Sequence, residues 1–134
     1  MRPRPLARRL AMQYLFAHDL TGGDCEAPEA FLREHADRDE VVAFGADLVD
    51  AVLRQRDAVD EILRTHAANF ALERMAAVDR NVLRLAVAEL LRGETPFRVI
   101  INEAVELAKK FGGADSPRFV NGILDAVARK GVGP

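Results

Sequence analysis

Cysteine is nearly missing from this chain: of 134 residues, only Cys25 is one. An intramolecular disulfide framework is therefore excluded, and a reducing, cytoplasmic compartment is the simplest reading. Cys25 stands between Asp24 and Glu26, acidic neighbours that disfavour a thiolate nucleophile. Lysine is scarce as well: of 19 basic residues only Lys109, Lys110 and Lys130 are lysine, and the other 16 are arginine. No apolar run approaches the ~18 residues that a membrane span needs. The opening MRPRPLARR is basic but lacks the apolar stretch and small-residue cleavage site of a secretory signal. Phosphate-loop and hydrolase signatures are missing: no G-x-G-x-x-G, G-x-x-x-x-G-K-[ST], H-E-x-x-H or G-x-S-x-G occurs. His18, His35 and His66 lie far apart and show no ligand spacing. Together these absences favour a binding protein over an enzyme, with no cofactor and no metal.

What is present reads as an ordinary soluble domain. Hydrophobic residues make up 49% and charged residues 30%. A chain of this length suits one domain and can bury roughly two-thirds of its unfolded surface. The net charge of −2 hides a pattern. Residues 1–18 carry Arg2, Arg4, Arg8 and Arg9 and no acid, whereas residues 19–50 carry ten acids against Arg33 and Arg38. Residues 109–134 return to five bases against two acids. A fold that brings the two ends together would present a basic patch on a weakly acidic protein. The alternative is a merely solubilising basic tail.

Helical periodicity runs through almost the whole sequence, with no convincing period-2 alternation. The spacing predicts a first helix from about Pro5 to His18, a turn at residues 21–24 and a short helix from Pro28 to His35. A long helical stretch from Asp39 to His66 follows, bent near Arg56-Asp57, then irregular chain from Ala67 to Ala77. Asp79 is expected to cap a helix running to Arg92 and closed by Gly93. Pro96 opens the next, through Phe111, with Glu106 and Lys110 as an i,i+4 ion pair. Ser116-Pro117 reads as N-cap and first helical residue of a last helix to about Lys130. The expected architecture is all-α: about seven helices in two small sub-bundles, at about residues 5–66 and 78–130 of one domain.

Two phenylalanines sit off the core stripes. On the first helix, Ala7, Leu10, Ala11, Tyr14 and Leu15 share one side, and Phe16 points nearly opposite, towards the side of Arg9 and Met12. Either a later helix of the domain covers it or another protein does. Phe119 lies at the edge of the last helix's stripe beside Arg118. That pairing suits RNA, since the ring can stack on an unpaired base while arginine and free helix N–H groups hold phosphate. An ordinary core-edge residue is the plainer alternative.

These segments also carry a resemblance. The run from Ile101 to Gly112, INEAVELAKKFG, followed by Phe119-Val120-Asn121-Gly122-Ile123-Leu124-Asp125, closely resembles the bacterial transcription antitermination factor NusB family. So do Arg8-x-x-Ala11-x-Gln13-x-Leu15-Phe16 and Val82-Leu83-Arg84-Leu85-Ala86-x-x-Glu89-Leu90. The likeness implies two small helical bundles and a non-enzymatic RNA-binding factor. It implies pairing with ribosomal protein NusE, recognition of single-stranded boxA RNA and, with other Nus factors, read-through by RNA polymerase in ribosomal RNA operons. Carried over residue by residue, it implies RNA contact by Arg2, Arg4, Arg8 and Arg9 at the amino end. At the start of the last helix it implies contact by Asp115, Arg118 and Phe119. Phe16 and Asp79 would face NusE, and a second copy of the chain, in a homodimer, is the other candidate to cover Phe16.

Two rivals stand beside this reading. A NusB-like module is also fused to RNA cytosine methyltransferases, which would require a catalytic domain beyond Pro134. A helical protein-interaction module with no RNA role would use the acidic 19–50 segment instead, and would bind its partner regardless of the amino-terminal arginines.

Overall fold

The amino-terminal prolines begin the structure rather than interrupt it. In the computed structural model, which describes residues 2–67 and 71–130, helix α1 runs from Pro3 to Thr21. Both prolines lie in its first turn, where a missing N–H costs nothing and φ is already helical. The helix is five residues longer than the periodicity predicts because its ends are set by chain chemistry: Pro3 at one end, Gly22 with φ 68° at the other.

The remaining helices are α2 (Pro28–His35), α3 (Asp39–Arg54), α4 (Arg56–His66), α5 (Ala77–Arg92), α6 (Phe97–Phe111) and α7 (Ser116–Lys130). A single 3₁₀ turn at Leu72–Arg74 sits in the stretch expected to be irregular. Part of that stretch, residues 68–70, lies outside the described residues. The long helical segment divides at Gln55, which leaves the helical region at φ −112°, ψ 21°. The bend expected near Arg56-Asp57 is thus a break between two helices.

Two details depart from the sequence reading. Asp79 is not the N-cap of α5: Ala77 and Val78 precede it in the helix, and Ala76 occupies the cap with no side-chain bond. Asp79 sits in the first turn instead, where its charge still faces the positive end of the helix dipole. Ser116 is already helical, and its hydroxyl turns back to accept from the Gly113 backbone N–H at 2.9 Å rather than capping forward.

Helices α1, α2 and α3 pack together, as do α5, α6 and α7, and α5 touches α1, α3, α4, α6 and α7. Helix α4 packs mainly on α5 and α7, although it lies on the amino-terminal side of the expected division at about residue 66. One apolar core runs through both groups. Leu15, Leu48, Val52, Leu83, Val87, Ile100 and Leu124 belong to it, and a smaller cluster of Leu10, Leu32, Val41 and Val42 lies between α1, α2 and α3. Leu10, Ala11, Tyr14 and Leu15 are all buried, as their stripe requires. Helix α5 is buried nearly all round and is the central element, with α1 and α7 both packed on it.

Candidate RNA and partner interface

The amino end meets the α5–α6 turn. Arg2 and Arg4 are exposed and line an open cleft of about 500 Å³ with Thr95, Pro96, Val99 and Glu103. The Arg4 guanidinium lies 4.7 Å from the centre of the Phe44 ring. Such stacking uses the face of the guanidinium and leaves its N–H edge available for phosphate. Val99 and Phe97, 41% and 50% exposed, flank this turn with apolar surface.

Arg8 lies elsewhere. It is 4% exposed, inside the packed junction of α1, α5 and α6. Its Nε and Nη2 donate to the two carboxylate oxygens of Glu89 at 2.8 and 2.6 Å, and its Nη1 donates to Glu103 at 3.4 Å. Burial lowers the guanidinium pKa, but the Glu89 hydrogen bonds and the charges of Glu89 and Glu103 raise it further, and the net shift is upward. The two motifs that contain Arg8 and Glu89 are thus joined by a buried bidentate ion pair. Arg9, the next residue, stays at the rim: it lines a cleft of about 200 Å³ between α1 and α6 and keeps a buried Nε with no hydrogen-bond partner among the described residues.

At the other end of the chain, Asp115 and Arg118 are exposed and Phe119 is half-buried against the main core. Asp115 and Phe119 line a cleft of about 440 Å³ whose opposite wall is Arg74, Met75 and Asp79. The residues expected to face RNA and the residue expected to face NusE therefore share one depression. Asp79 is 8% exposed and its Oδ1 accepts no hydrogen bond among the described residues. A buried carboxylate oxygen of that kind is costly unless a donor reaches it.

Phe16 is partly covered, packed against the main core: the domain takes one part of the ring and leaves the rest at the surface. Met12, on the same side, is buried. Asp19, three residues along α1 from Phe16, accepts from Arg80 Nε at 2.8 Å and Asn81 Nδ2 at 3.0 Å. This pins the carboxy-terminal half of α1 to the first turn of α5, where Asp79 sits. Burial pushes the Asp19 carboxyl up, but the hydrogen bonds from Asn81 and Arg80 and the charges of Arg84 and Arg80 outweigh it, and the net shift is downward. Arg84 extends the same network, with Nε and Nη2 on Asp60 at 2.9 and 3.1 Å.

Sequence reasoning missed several of these groups. Glu89 is an acid within the apolar run of α5, a position that demands a buried cation, and that was the available signal. Arg74 joins the Phe119 cleft through the 3₁₀ turn, which no periodicity announces. The Glu106–Lys110 pair is not formed: Glu106 pairs with Lys109 instead, at 3.4 Å, an i,i+3 contact. Among the described residues Lys110 forms no ion pair and stands 5.8 Å from the centre of the Phe111 ring.

Comparison with known proteins matches this chain to the NusB family over residues 5–129. The transcription antitermination protein NusB of Anaeromyxobacter dehalogenans (strain 2CP-1 / ATCC BAA-258) is 48% identical over an alignment of 128 positions that covers 93% of this chain and 89% of the relative. T. maritima NusB superposes with a TM-score of 0.87 at 32% identity, over 98% of this chain and 94% of that one. A chain from the crystal structure of antitermination factors NusB and NusE in complex with dsRNA superposes with a TM-score of 0.85 at 30% identity, over 98% and 99%.

Proposed function

The chain belongs to the NusB family, and from that premise we propose that it is a transcription antitermination factor. In this reading it binds boxA-type single-stranded RNA together with ribosomal protein NusE. With RNA polymerase and other Nus factors, in the cytoplasm, it sustains transcription of ribosomal RNA operons. No catalytic step is assigned to it. The observation that carries the RNA reading is the division of the basic residues. Those in the core are held by carboxylates, whereas Arg2, Arg4, Arg9 and Arg118, like the exposed Arg54, Arg74 and Arg98 elsewhere, form no ion pair among the described residues. A protein of net charge −2 thus keeps unneutralised arginine at one amino-terminal edge and at the start of α7.

Arg2, Arg4 and Arg9 are assigned to phosphate. Arg8 is left out of that set, because its N–H groups are already spent on Glu89 and Glu103. Arg118 holds phosphate beside Phe119, whose ring stacks on one base, a contact worth ~1–3 kcal/mol. Asp115 repels phosphate and so sets the edge of the track. Phe16 and Asp79 face NusE, with the bare Asp79 Oδ1 taking a donor from the partner. A second copy of the chain would need the same Phe16 surface, so NusE and self-association compete.

Anisotropy of a labelled boxA-like RNA, titrated with and without NusE at several salt concentrations, tests this reading. Tight, sequence-selective, NusE-enhanced binding supports it; no binding by folded protein in either condition removes it. The structural neighbour's RNA is double-stranded, so a duplex competitor belongs in the same experiment. The salt slope per phosphate contact is ~0.7 for a single strand against ~0.9 for a duplex. Phe16→Ala and Asp79→Ala should abolish the NusE enhancement and leave the slope unchanged.

A further inference from the structure

The two basic regions assigned to RNA lie at opposite ends of α6, and one cation stands between them that neither region includes. Lys110, near the carboxy-terminal end of α6, lines the same cleft of about 200 Å³ as Arg9. The cleft also has acids, but they are occupied: Glu103 is held by Arg8 at 3.4 Å and Glu106 by Lys109 at 3.4 Å. Arg9 and Lys110 are left without carboxylate partners among the described residues. This cleft and the larger one at the amino end share Pro5, Arg8 and Glu103 in their walls, so they adjoin along the α1–α6 seam.

From this we infer that Arg9 and Lys110 form a phosphate clamp across the α1–α6 seam. The clamp carries a single RNA strand from the amino-terminal arginines along α6 to Arg118 and Phe119. The inference rests on the RNA reading above and adds to it a residue and a path. Arg9 lines this cleft with no hydrogen bond or ion pair among the described residues, so a phosphate meets no competing partner there. Lys110 contributes a flexible point charge from the opposite helix, at the helix end that favours cations. From Pro96 to Lys110, α6 advances about 20 Å at ~1.5 Å per residue. At the stacked spacing of ~3.4 Å per nucleotide of one strand, that length takes at most roughly six nucleotides, and fewer where the strand is unstacked.

Salt-dependent anisotropy on the full chain tests this, with a boxA-like single strand of about twelve nucleotides. The variants are Lys110→Ala, Arg9→Ala and Arg4→Ala, with Lys109→Ala plus Glu106→Ala as the control, because together they remove an ion pair whose charges already cancel. Both clamp variants should bind more weakly, and each should lower the salt slope by ~0.7. That is about a 2.6-fold smaller loss of affinity between 50 and 200 mM salt. The paired control should match the parent protein. Thermal midpoints of all four should stay at the parent value, since no variant removes a core contact. If Arg4→Ala weakens binding while Arg9→Ala and Lys110→Ala do not, the clamp is wrong and the RNA reading survives. If the parent protein binds no RNA, both fall together.

Discussion

Arg8 and Arg9 are neighbours in sequence and opposites in role. A step of about 100° around α1 sends Arg8 into the junction with α5 and α6 and leaves Arg9 at a cleft edge. Arg8 belongs to an interior polar system with Glu89 and Glu103, while Arg84 and Arg80, with Asp60 and Asp19, form a second one between α1, α4 and α5. Arg9 belongs to a rim with Arg2, Arg4 and Lys110 that meets no carboxylate among the described residues. The lesson is that charge counting along a helix does not measure what is offered to a ligand. Only the side chains that the fold fails to neutralise attract a polyanion, and here the fold selects them residue by residue.

The contrast predicts that interior substitutions change stability and rim substitutions change binding. Arg8→Ala should be the most damaging, costing ~3–5 kcal/mol by urea unfolding, because it strands a buried carboxylate. Adding Glu89→Leu to Arg8→Met should recover most of that loss, since the pair can be exchanged for apolar volume. A near-neutral Arg8→Ala would erase the distinction between interior and rim. Asp19→Ala comes next, at ~1.5–3 kcal/mol for hydrogen bonds to a charged group. Its folded carboxyl is held below the ordinary aspartate value of 3.8. The stability it contributes is therefore complete above that value and is lost as the pH falls through the lower, folded one. Urea midpoints from neutral pH downward should show a shallower acid decline in Asp19→Ala than in the parent. Arg2→Ala with Arg4→Ala should move stability by no more than ~0.5 kcal/mol. The same pair should lower the RNA salt slope by about 1.4; a stability loss like that of Arg8→Ala would place those side chains in the interior system. Asp39→Asn should do least. It removes an exposed ion pair with Arg33, so neither the unfolding midpoint nor the RNA affinity should change measurably.

Much of the fold was legible in the sequence because each helix has its own punctuation. Proline marks the starts of α1, α2 and α6, glycine the ends of α1 and α5, and apolar stripes the faces of α6 and α7. The boundaries that escaped lack such marks. Asp79 resembles a cap, but Ala77 and Val78 are good enough helix residues to extend α5 past it. The site was legible only in part, for a different reason. Periodicity assigns a side to each residue but not a partner, so Arg8 looked as available as Arg9. The resemblance marked Arg8 through its motif, and the structure gives that motif a packing role, a buried bond to another motif residue, Glu89. Phe119 and Asp79 were singled out separately, for RNA and for NusE. Their meeting across one cleft depends on the 3₁₀ turn and the loop before α7, where local sequence says little about tertiary placement.

The Arg8–Glu89 bond also has a consequence in time. Its partners are 81 residues apart, and at ~5–20 residues per second the ribosome needs about 4–16 s to deliver the second after the first. Throughout that interval the amino end of the growing chain carries four unneutralised arginines instead of three, and α1 lacks its tie to the central helix. Ribosome-arrested chains that stop short of Glu89 should therefore crosslink to RNA through their first ten residues more readily than chains tethered by a linker long enough to bring Glu89 and Glu103 out of the exit tunnel. Synthesis itself lowers the polyanion affinity of the newborn amino end at the moment α5 docks.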